Sequence, residues 1–253
     1  MAEEREKQEM TFWDHLDVLR GTLFRSAVAV ILFSVLFFIF KTELFEFVFA
    51  PTKDDFLVYR WFGSEMNMTL VNLEISAQFF IHLKVAMMCG VIVAVPYIIY
   101  EIWRFISPAL YDSEKKPIRS AFLLASVLFY LGTVVGYLFV LPVCINFFMN
   151  YTISDEVLNT ISLESYISMF TSMVLMIGIV FEFPAVIAVL SKLGLIYRST
   201  LQNLRRYAVV VILIVSAIIT PSDPFSMFVL AVPLYALYEF SIILCRKNPK
   251  PQE

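Results

Sequence analysis

The sequence predicts an all-α integral membrane protein with six membrane-spanning helices. Of its 253 residues, 60% are hydrophobic and 16% are charged, whereas soluble domains carry about 25% charged residues. The hydrophobic residues gather into six runs, and none of these runs alternates apolar and polar residues as a half-buried strand would. A helix of about 20 apolar residues crosses a bilayer, so the chain is long enough for six spans.

The six apolar runs follow one another with polar connections between them. The first run is expected to stay as an anchor, because Pro51 would directly follow the small-residue cleavage pattern that ends at Ala50. The expected spans are Leu23–Phe40, Ser76–Ile99, Ser120–Val143, Tyr166–Leu190, Tyr207–Ile219 and Phe225–Leu244. We therefore expect a cytoplasmic amphipathic N-terminal segment (1–22), a six-helix transmembrane domain (23–245) and a cytoplasmic tail (246–253).

The last two runs predict a short hairpin. The fifth run has 13 residues before Thr220, and at 1.5 Å per residue it reaches only about 20 Å, less than a hydrocarbon core of about 30 Å. The sixth run contains Pro233, which is expected to break it. Asp223 lies in the turn between the two runs and is expected to cap the sixth helix.

Lys and Arg are distributed unevenly across the predicted membrane. Fifteen of the 19 lie on the side that holds both termini. Cytoplasmic loops carry the excess of basic residues, so both termini are expected in the cytoplasm. The basic residues on that side are Arg5, Lys7, Arg20, Arg25, Arg104, Lys115, Lys116, Arg119, Lys192, Arg198, Arg205, Arg206, Arg246, Lys247 and Lys250.

The segment before the first span has the pattern of an amphipathic helix. Its apolar and charged residues fall on different helical faces: Phe12, Leu16 and Leu19 against Asp14, Asp17 and Arg20. A helix that lies in the membrane interface and leads into the first span would explain this pattern without any further role.

The connection between spans two and three mixes aromatic and charged residues. Trp103 and Tyr111 suit the aromatic belt of a membrane interface, and Pro108 is expected to end the helix. Asp112 and Glu114 then lie in a basic loop. A solvated loop with local ion pairs would explain this stretch without any further role.

Glu182 is the most informative single residue, because it lies inside the fourth apolar run. A carboxylate near the centre of a membrane helix costs about 2.5–3.5 kcal/mol or more, and such groups usually face a bundle interior or an aqueous cavity. Pro184 frees the carbonyl near Val180 and favours a kink, which predicts a concave, partly wet cavity. A Glu paired with a polar group for structure alone is the other explanation.

The sequence shows no catalytic pattern. It has no Ser–His pair, metal-ligand helix, paired intramembrane aspartates or phosphate-binding loop, and His15 and His82 lie near opposite membrane faces. The cysteines at 89, 144 and 245 lack metal-ligand spacing. We expect no enzyme activity, no cofactor or metal, and no nucleic-acid partner. A secondary transporter with Glu182 as its ion or proton site remains an alternative, although no internal repeat supports it.

Five short motifs, taken in order, resemble the TatC family, the multispanning subunit of the twin-arginine (Sec-independent) protein translocase. The resemblance covers about residues 11–245. The motifs are His15-Leu16-x-x-Leu19-Arg20, Tyr100-Glu101-x-Trp103-x-Phe105-x-x-Pro108-x-Leu110-x-x-x-Glu114-Lys115, Phe181-Glu182-x-Pro184, Arg205-Arg206-Tyr207 and Thr220-Pro221-x-Asp223-x-x-Ser226.

The resemblance implies a receptor for signal peptides that carry consecutive arginines. It places signal-peptide contacts at Glu114, Lys115, Phe105 and Arg20. A second family Glu falls at Val18 in this chain. Two neighbouring acids are available to replace it: Asp17, which we favour slightly, and Asp14, which lies one turn before Val18 on the same face.

The resemblance also implies partners and a shape. Glu182, Pro184, Thr220 and Asp223 would contact partners from a concave, glove-like bundle. The partners implied are TatA-type and possibly TatB-type single-span subunits, folded cargo, lipid and further copies of the chain. The implied location is the bacterial cytoplasmic (inner) membrane, with export driven by the proton motive force.

Overall fold

The computed structural model describes residues 12–62, 68–154, 160–220 and 223–245. The two short strands in these ranges are β1 (Leu70–Val71) and β2 (Ile161–Ser162), which pair in parallel. The helices are α1 (Phe12–Ile39), α2 (Lys41–Phe49), α3 (Leu57–Phe62), α4 (Ala77–Ile106), α5 (Asp112–Val135), α6 (Leu141–Asn150), α7 (Leu163–Phe181), α8 (Phe183–Lys192), α9 (Arg198–Ile219) and α10 (Pro224–Leu244).

Six helical units in the described ranges are long and apolar enough to cross a membrane, which confirms the predicted fold class. They are α1, α4, α5 with α6, α7 with α8, α9 and α10. A π-helical turn, Gly136–Val140, joins α5 to α6 without ending the span. The last two spans have 22 and 21 residues and are the shortest of the six, as predicted, against 25, 30, 36 and 30 for the first four. The expected shortfall of the fifth span was wrong, because 22 residues reach about 33 Å, enough for a hydrocarbon core of about 30 Å.

Several predicted helix ends were wrong. The second span continues beyond Ile99 to Ile106, and the helix of the third span begins at Asp112, before Ser120. Helix α9 begins at Arg198, nine residues before its apolar run, because this segment contains the good helix formers Arg, Leu and Gln. Helix α10 continues through Pro233, which we expected to break it; membrane helices tolerate proline where neighbouring groups satisfy the freed carbonyl. The third span extends beyond Val143 to Asn150.

Small residues allow the spans to approach closely. A Cβ atom added to Gly90 on α4 would lie 2.7 Å from the backbone nitrogen of Ser34 on α1. A Cβ atom on Gly132 of α5 would lie 2.9 Å from the Cα atom of Gly178 on α7. Packing and close backbone contact hold membrane helices together, so these glycines fix α1 against α4 and α5 against α7.

The bundle has two chemically different ends. The basic end, as we call it, holds the first residues of α1, α5 and α9 and the last residues of α4, α8 and α10. At the opposite end, tyrosine hydroxyl groups tie α2 to the spans: Tyr137 donates to the Phe47 carbonyl (2.8 Å) and Tyr166 to the Val48 carbonyl (2.6 Å). These bonds make the α2 region a fixed cap over the core.

Candidate functional site

The first two motifs of the sequence meet at the basic end. The rings of His15 on α1 and Phe105 on α4 stack with their centroids 4.3 Å apart. Helix α4 ends at Ile106, and Pro108 lies in the 3₁₀ turn Ser107–Ala109 that follows it, so the helix ends beside this proline as expected. The structure therefore brings Phe105, one of the predicted contact residues, against the segment that carries Asp17 and Arg20.

The predicted charged residues lie on α1 and α5, the two helices that both pack against α4. Asp17 and Arg20 are exposed on α1, and Lys115 is half-buried near the start of α5. Asp14 and Glu114 belong to α1 and α5, but their side chains lie outside the described part of the structure. The backbone places Glu114 in the first turn of α5. The N-terminal end of a helix favours negative charge.

The start of α5 is anchored to neighbouring spans. Lys192, the last residue of α8, donates to the Pro117 carbonyl and to the Ser120 hydroxyl (2.9 Å). The ring centroids of Trp103 on α4 and Phe122 on α5 lie 5.4 Å apart. These contacts fix the helix that carries Glu114 relative to the end of α4.

Sequence reasoning assigned no role to Glu101, a buried acid at this end. Glu101 on α4 is 2% exposed, and its Oε2 atom accepts hydrogen bonds from Arg25 Nε (2.9 Å) and Nη2 (2.8 Å). Its Oε1 atom accepts from the Tyr97 hydroxyl (3.1 Å). The sequence held a signal, since Arg25 lies just inside the first predicted span and Glu101 lies two residues beyond the predicted end of the second, near the same membrane face.

Glu182 lies at the break between α7 and α8. Its backbone N–H donates to the Ile179 carbonyl (3.1 Å), and its own carbonyl accepts from Ala185 (3.0 Å) and Val186 (3.1 Å). Pro184 occupies the second position of α8, where a missing N–H costs no helical hydrogen bond. The predicted interruption beside Glu182 is thus present in the backbone.

The side chain of Glu182 is incompletely satisfied. Its Oε1 atom is buried, and none of the residues that the structure describes gives it a hydrogen bond. A buried carboxylate oxygen without a partner is costly, so it needs a proton, a water molecule or a polar group from another chain. This arrangement can hold a proton or engage a polar partner.

Thr220 and Asp223 form a polar junction between α9 and α10. Thr220 is 4% exposed and its hydroxyl donates to the Ser216 carbonyl (3.0 Å). Asp223 caps α10 as predicted, because its Oδ1 atom accepts from the Ser226 N–H (2.6 Å). The Oδ2 atom of Asp223 and the Ser216 and Ser226 hydroxyls are buried without a hydrogen-bond partner within the described ranges.

The described residues contain no group of three or more His, Cys, Asp and Glu side chains that could hold a metal ion. The three cysteines are buried and unpaired, at three separate places in the bundle. They pack as small apolar side chains.

Comparison with known proteins identifies one family. Residues 14–233 match the sequence profile described as TatC, Sec-independent protein translocase protein. Curated relatives of that name include one from Blattabacterium sp. subsp. Periplaneta americana (strain BPLAN), 36% identical over 94% of this chain and 96% of the relative. Another, from Desulforapulum autotrophicum, is 35% identical over 98% of this chain and 89% of the relative.

The fold has close matches among solved structures. A crystal structure described as twin arginine translocase receptor TatC in DDM superimposes with a TM-score of 0.78 and 34% identity, covering 92% of this chain and 99% of that one. A second crystal structure of a TatC receptor gives a TM-score of 0.75 at 34% identity, covering 91% and 97%. The resemblance inferred from the five motifs is thereby confirmed.

Proposed function

Because the chain belongs to the TatC family, and so is a multispanning component of the twin-arginine protein translocase rather than an enzyme, we propose that it is the receptor subunit for twin-arginine signal peptides of folded cargo. The observation that supports this proposal best is the contact of His15 with Phe105. It joins two distant motifs at the basic end, and α4, which carries Phe105, also packs against α5, the helix of Glu114.

Guanidinium groups and carboxylates match in shape as well as in charge. The planar fork of an arginine pairs with a carboxylate through two parallel hydrogen bonds, and lysine offers only a point charge. Glu114, in the first turn of α5, is the carboxylate we assign to one signal-peptide arginine. Asp17 is exposed on α1 and is the nearest candidate for the other among the acids considered from sequence.

We place the recruitment of TatA-type, and possibly TatB-type, subunits on the spans away from this receptor end. The polar junction of Thr220 and Asp223 offers buried oxygen atoms without partners in the described ranges, and Glu182 offers another inside the membrane. The proposal includes the bacterial inner membrane as location, both termini in the cytoplasm, and the proton motive force as the energy source, since no nucleotide site was found in the sequence.

The experiment is cross-linking of a photoreactive twin-arginine signal peptide to the full chain in membranes that contain its partner subunits. We expect Glu114→Gln to reduce capture about tenfold or more, because a charge-assisted pair contributes about 1.5–3 kcal/mol. A twin-lysine peptide gives the reference for non-specific capture. Glu43→Gln is the matched control, since Glu43 is an exposed acid on α2 at the opposite end.

Capture that does not depend on the arginine pair, or that survives Glu114→Gln unchanged, would contradict the receptor proposal. The alternative is a secondary transporter, and the buried Oε1 atom of Glu182 is the observation that favours it. A transporter predicts proton or ion flux in vesicles without any cargo, and Glu182→Gln would abolish that flux.

A further inference from the structure

The sequence offers Asp17 or Asp14 as the second carboxylate of the receptor, because Val18 occupies the position where the family resemblance expects a Glu. Asp17 is adjacent in sequence, but neighbouring residues on a helix point about 100° apart. The structure identifies another carboxylate, and it lies on the helix that packs against α1.

The packing of α1 on α4 shows which residues of α4 lie level with Val18. His15 stacks on Phe105, and Phe38 stacks on His82 with centroids 4.1 Å apart. His15 and Phe38 are 23 residues apart on α1, and their partners Phe105 and His82 are also 23 residues apart on α4. The two antiparallel helices therefore keep one register between these contacts. In this register Val18 lies level with residue 102, one position from Glu101.

The face of α1 is also the right one. Val18, Thr22 and Arg25 are spaced by four and three residues, which places them on one helical face. Arg25 contacts Thr22 Oγ1 through Nη2 (3.4 Å) and Glu101 through Nε and Nη2. The face that carries Val18 is therefore the face that meets Glu101. Val18 itself is 37% exposed, so this face is open beside it.

Arg25 reaches Glu101 from the membrane side. In the register above, Arg25 lies level with residue 95, about 9 Å deeper than Glu101 at 1.5 Å per residue. Its side chain must extend back toward the basic end, and it stays 39% exposed while the Glu101 side chain is 2% exposed. Tyr97 holds the second carboxylate oxygen. The result is a preformed guanidinium site whose occupant is a residue of the chain itself.

We propose that Glu101 is the second arginine-binding carboxylate of the receptor, and that a signal-peptide arginine binds it by replacing Arg25. This inference rests on the proposed receptor function. Removing the partner of a buried charge is strongly destabilising, but exchange of one guanidinium for another keeps Glu101 paired throughout. Lysine cannot reproduce the fork, so the site discriminates in favour of arginine.

The test is a titration of the photoreactive twin-arginine peptide against the full chain in membranes with its partners. Glu101→Gln is expected to raise the half-saturating concentration about tenfold, because the ionic partner is lost. Arg25→Gln is expected to lower it about tenfold, because the resident competitor is gone. Arg25→Lys keeps the charge that supports folding, and it should fall between wild type and Arg25→Gln.

A rescue variant separates binding from structure. Val18→Glu restores a carboxylate at the position of the family Glu, so in the Glu101→Gln background it should recover arginine-dependent capture. Val18→Gln in the same background is the control and should not. Resistance of each variant to proteolysis reports folding independently of peptide binding.

Two results would overturn the inference. Unchanged capture by Glu101→Gln would show that no signal-peptide arginine uses this carboxylate. Weaker capture by both Arg25→Gln and Arg25→Lys would show that the pair only clamps α1 to α4. Failure of the receptor function itself gives a different result, since the wild-type chain would then capture the twin-arginine and twin-lysine peptides equally, whatever stands at position 101.

Discussion

At the scale of the residue, Glu182 combines a cost in stability with the partner contact that we propose for it. Its carboxylate lies at the junction of α7 and α8 inside the fourth span, and its buried Oε1 atom has no partner among the described residues. Gly132 and Gly178 bring α5 against α7 next to this junction, since a Cβ atom on Gly132 would lie 2.6 Å from Phe181. Tight packing here leaves little room to relax around the charge.

We predict that Glu182→Leu leaves the protein as stable as wild type or more stable, while export of a folded twin-arginine reporter falls. The substitution removes a desolvation cost of about 2.5–3.5 kcal/mol, and it also removes a carboxylate that the junction offers to a partner. Thermal unfolding in detergent and reporter export are the two measurements. Glu164→Gln, an exposed acid in the first turn of α7, is the control. A lower unfolding temperature for Glu182→Leu would contradict the prediction and make Glu182 structural.

At the scale of the element, the start of α10 depends on a single side chain. Asp223 has extended backbone angles and accepts the Ser226 N–H, and Pro224 follows at the first helical position. This combination satisfies one of the N–H groups that a helix start leaves unpaired. The same carboxylate presents its Oδ2 atom to no described partner, so the cap and the charge can be tested separately.

We predict that Asp223→Ala destabilises the protein by about 1 kcal/mol, whereas Asp223→Asn is nearly neutral because asparagine is an equally good cap. Thermal unfolding measures this difference. If the negative charge serves partner contact, export falls in both variants although only one is destabilised. Full export by Asp223→Asn would show instead that the residue acts only as a cap.

The spans could be predicted from sequence because membrane helices must carry long apolar runs. Their ends could not, because hydrogen bonding rather than hydropathy decides where a helix stops. Arg198–Arg206 is polar and still helical, and α10 passes through Pro233. Pro184 does coincide with a break, next to Glu182, so the same residue type gave opposite outcomes.

The candidate site was predictable only in part. Motif order placed Phe105, Asp17 and Glu114 near one membrane face, since their segments lie on the same side of the spans. The pairing of Arg25 with Glu101 joins residues 76 positions apart. A helical period tells which residues share a face of one helix, but it does not tell which helix that face meets. The register of α1 against α4 had to come from the structure.

At the scale of the whole molecule, the basic residues concentrate at one end of the helical bundle. The basic end gathers Lys192, Arg198 and Arg205 from the α8–α9 region together with the starts of α1 and α5. The Arg205–Glu239 pair (2.7 Å) ties α9 to α10 at the same end. The opposite end presents α2 and the paired strands, where basic residues are sparse. Excess Lys and Arg mark the cytoplasmic side.

We predict that the basic end faces the cytoplasm, and the three native cysteines make this measurable because all are buried. Leu195, 68% exposed in the turn between α8 and α9, and Ile75, fully exposed just before α4, lie at opposite ends. In intact cells a membrane-impermeant maleimide should label Ile75→Cys and not Leu195→Cys, and lysis should make both reactive.

The wild-type chain provides the background for this labelling, and unchanged export of the reporter confirms that each variant is correctly inserted. Labelling of Leu195→Cys in intact cells would invert the topology. It would also place the His15–Phe105 contact, and the Glu101 site beside it, on the side of the membrane that a cytoplasmic signal peptide does not reach. Orientation is therefore the property of the whole molecule on which both proposals depend, because a twin-arginine peptide must meet its receptor before it crosses the bilayer.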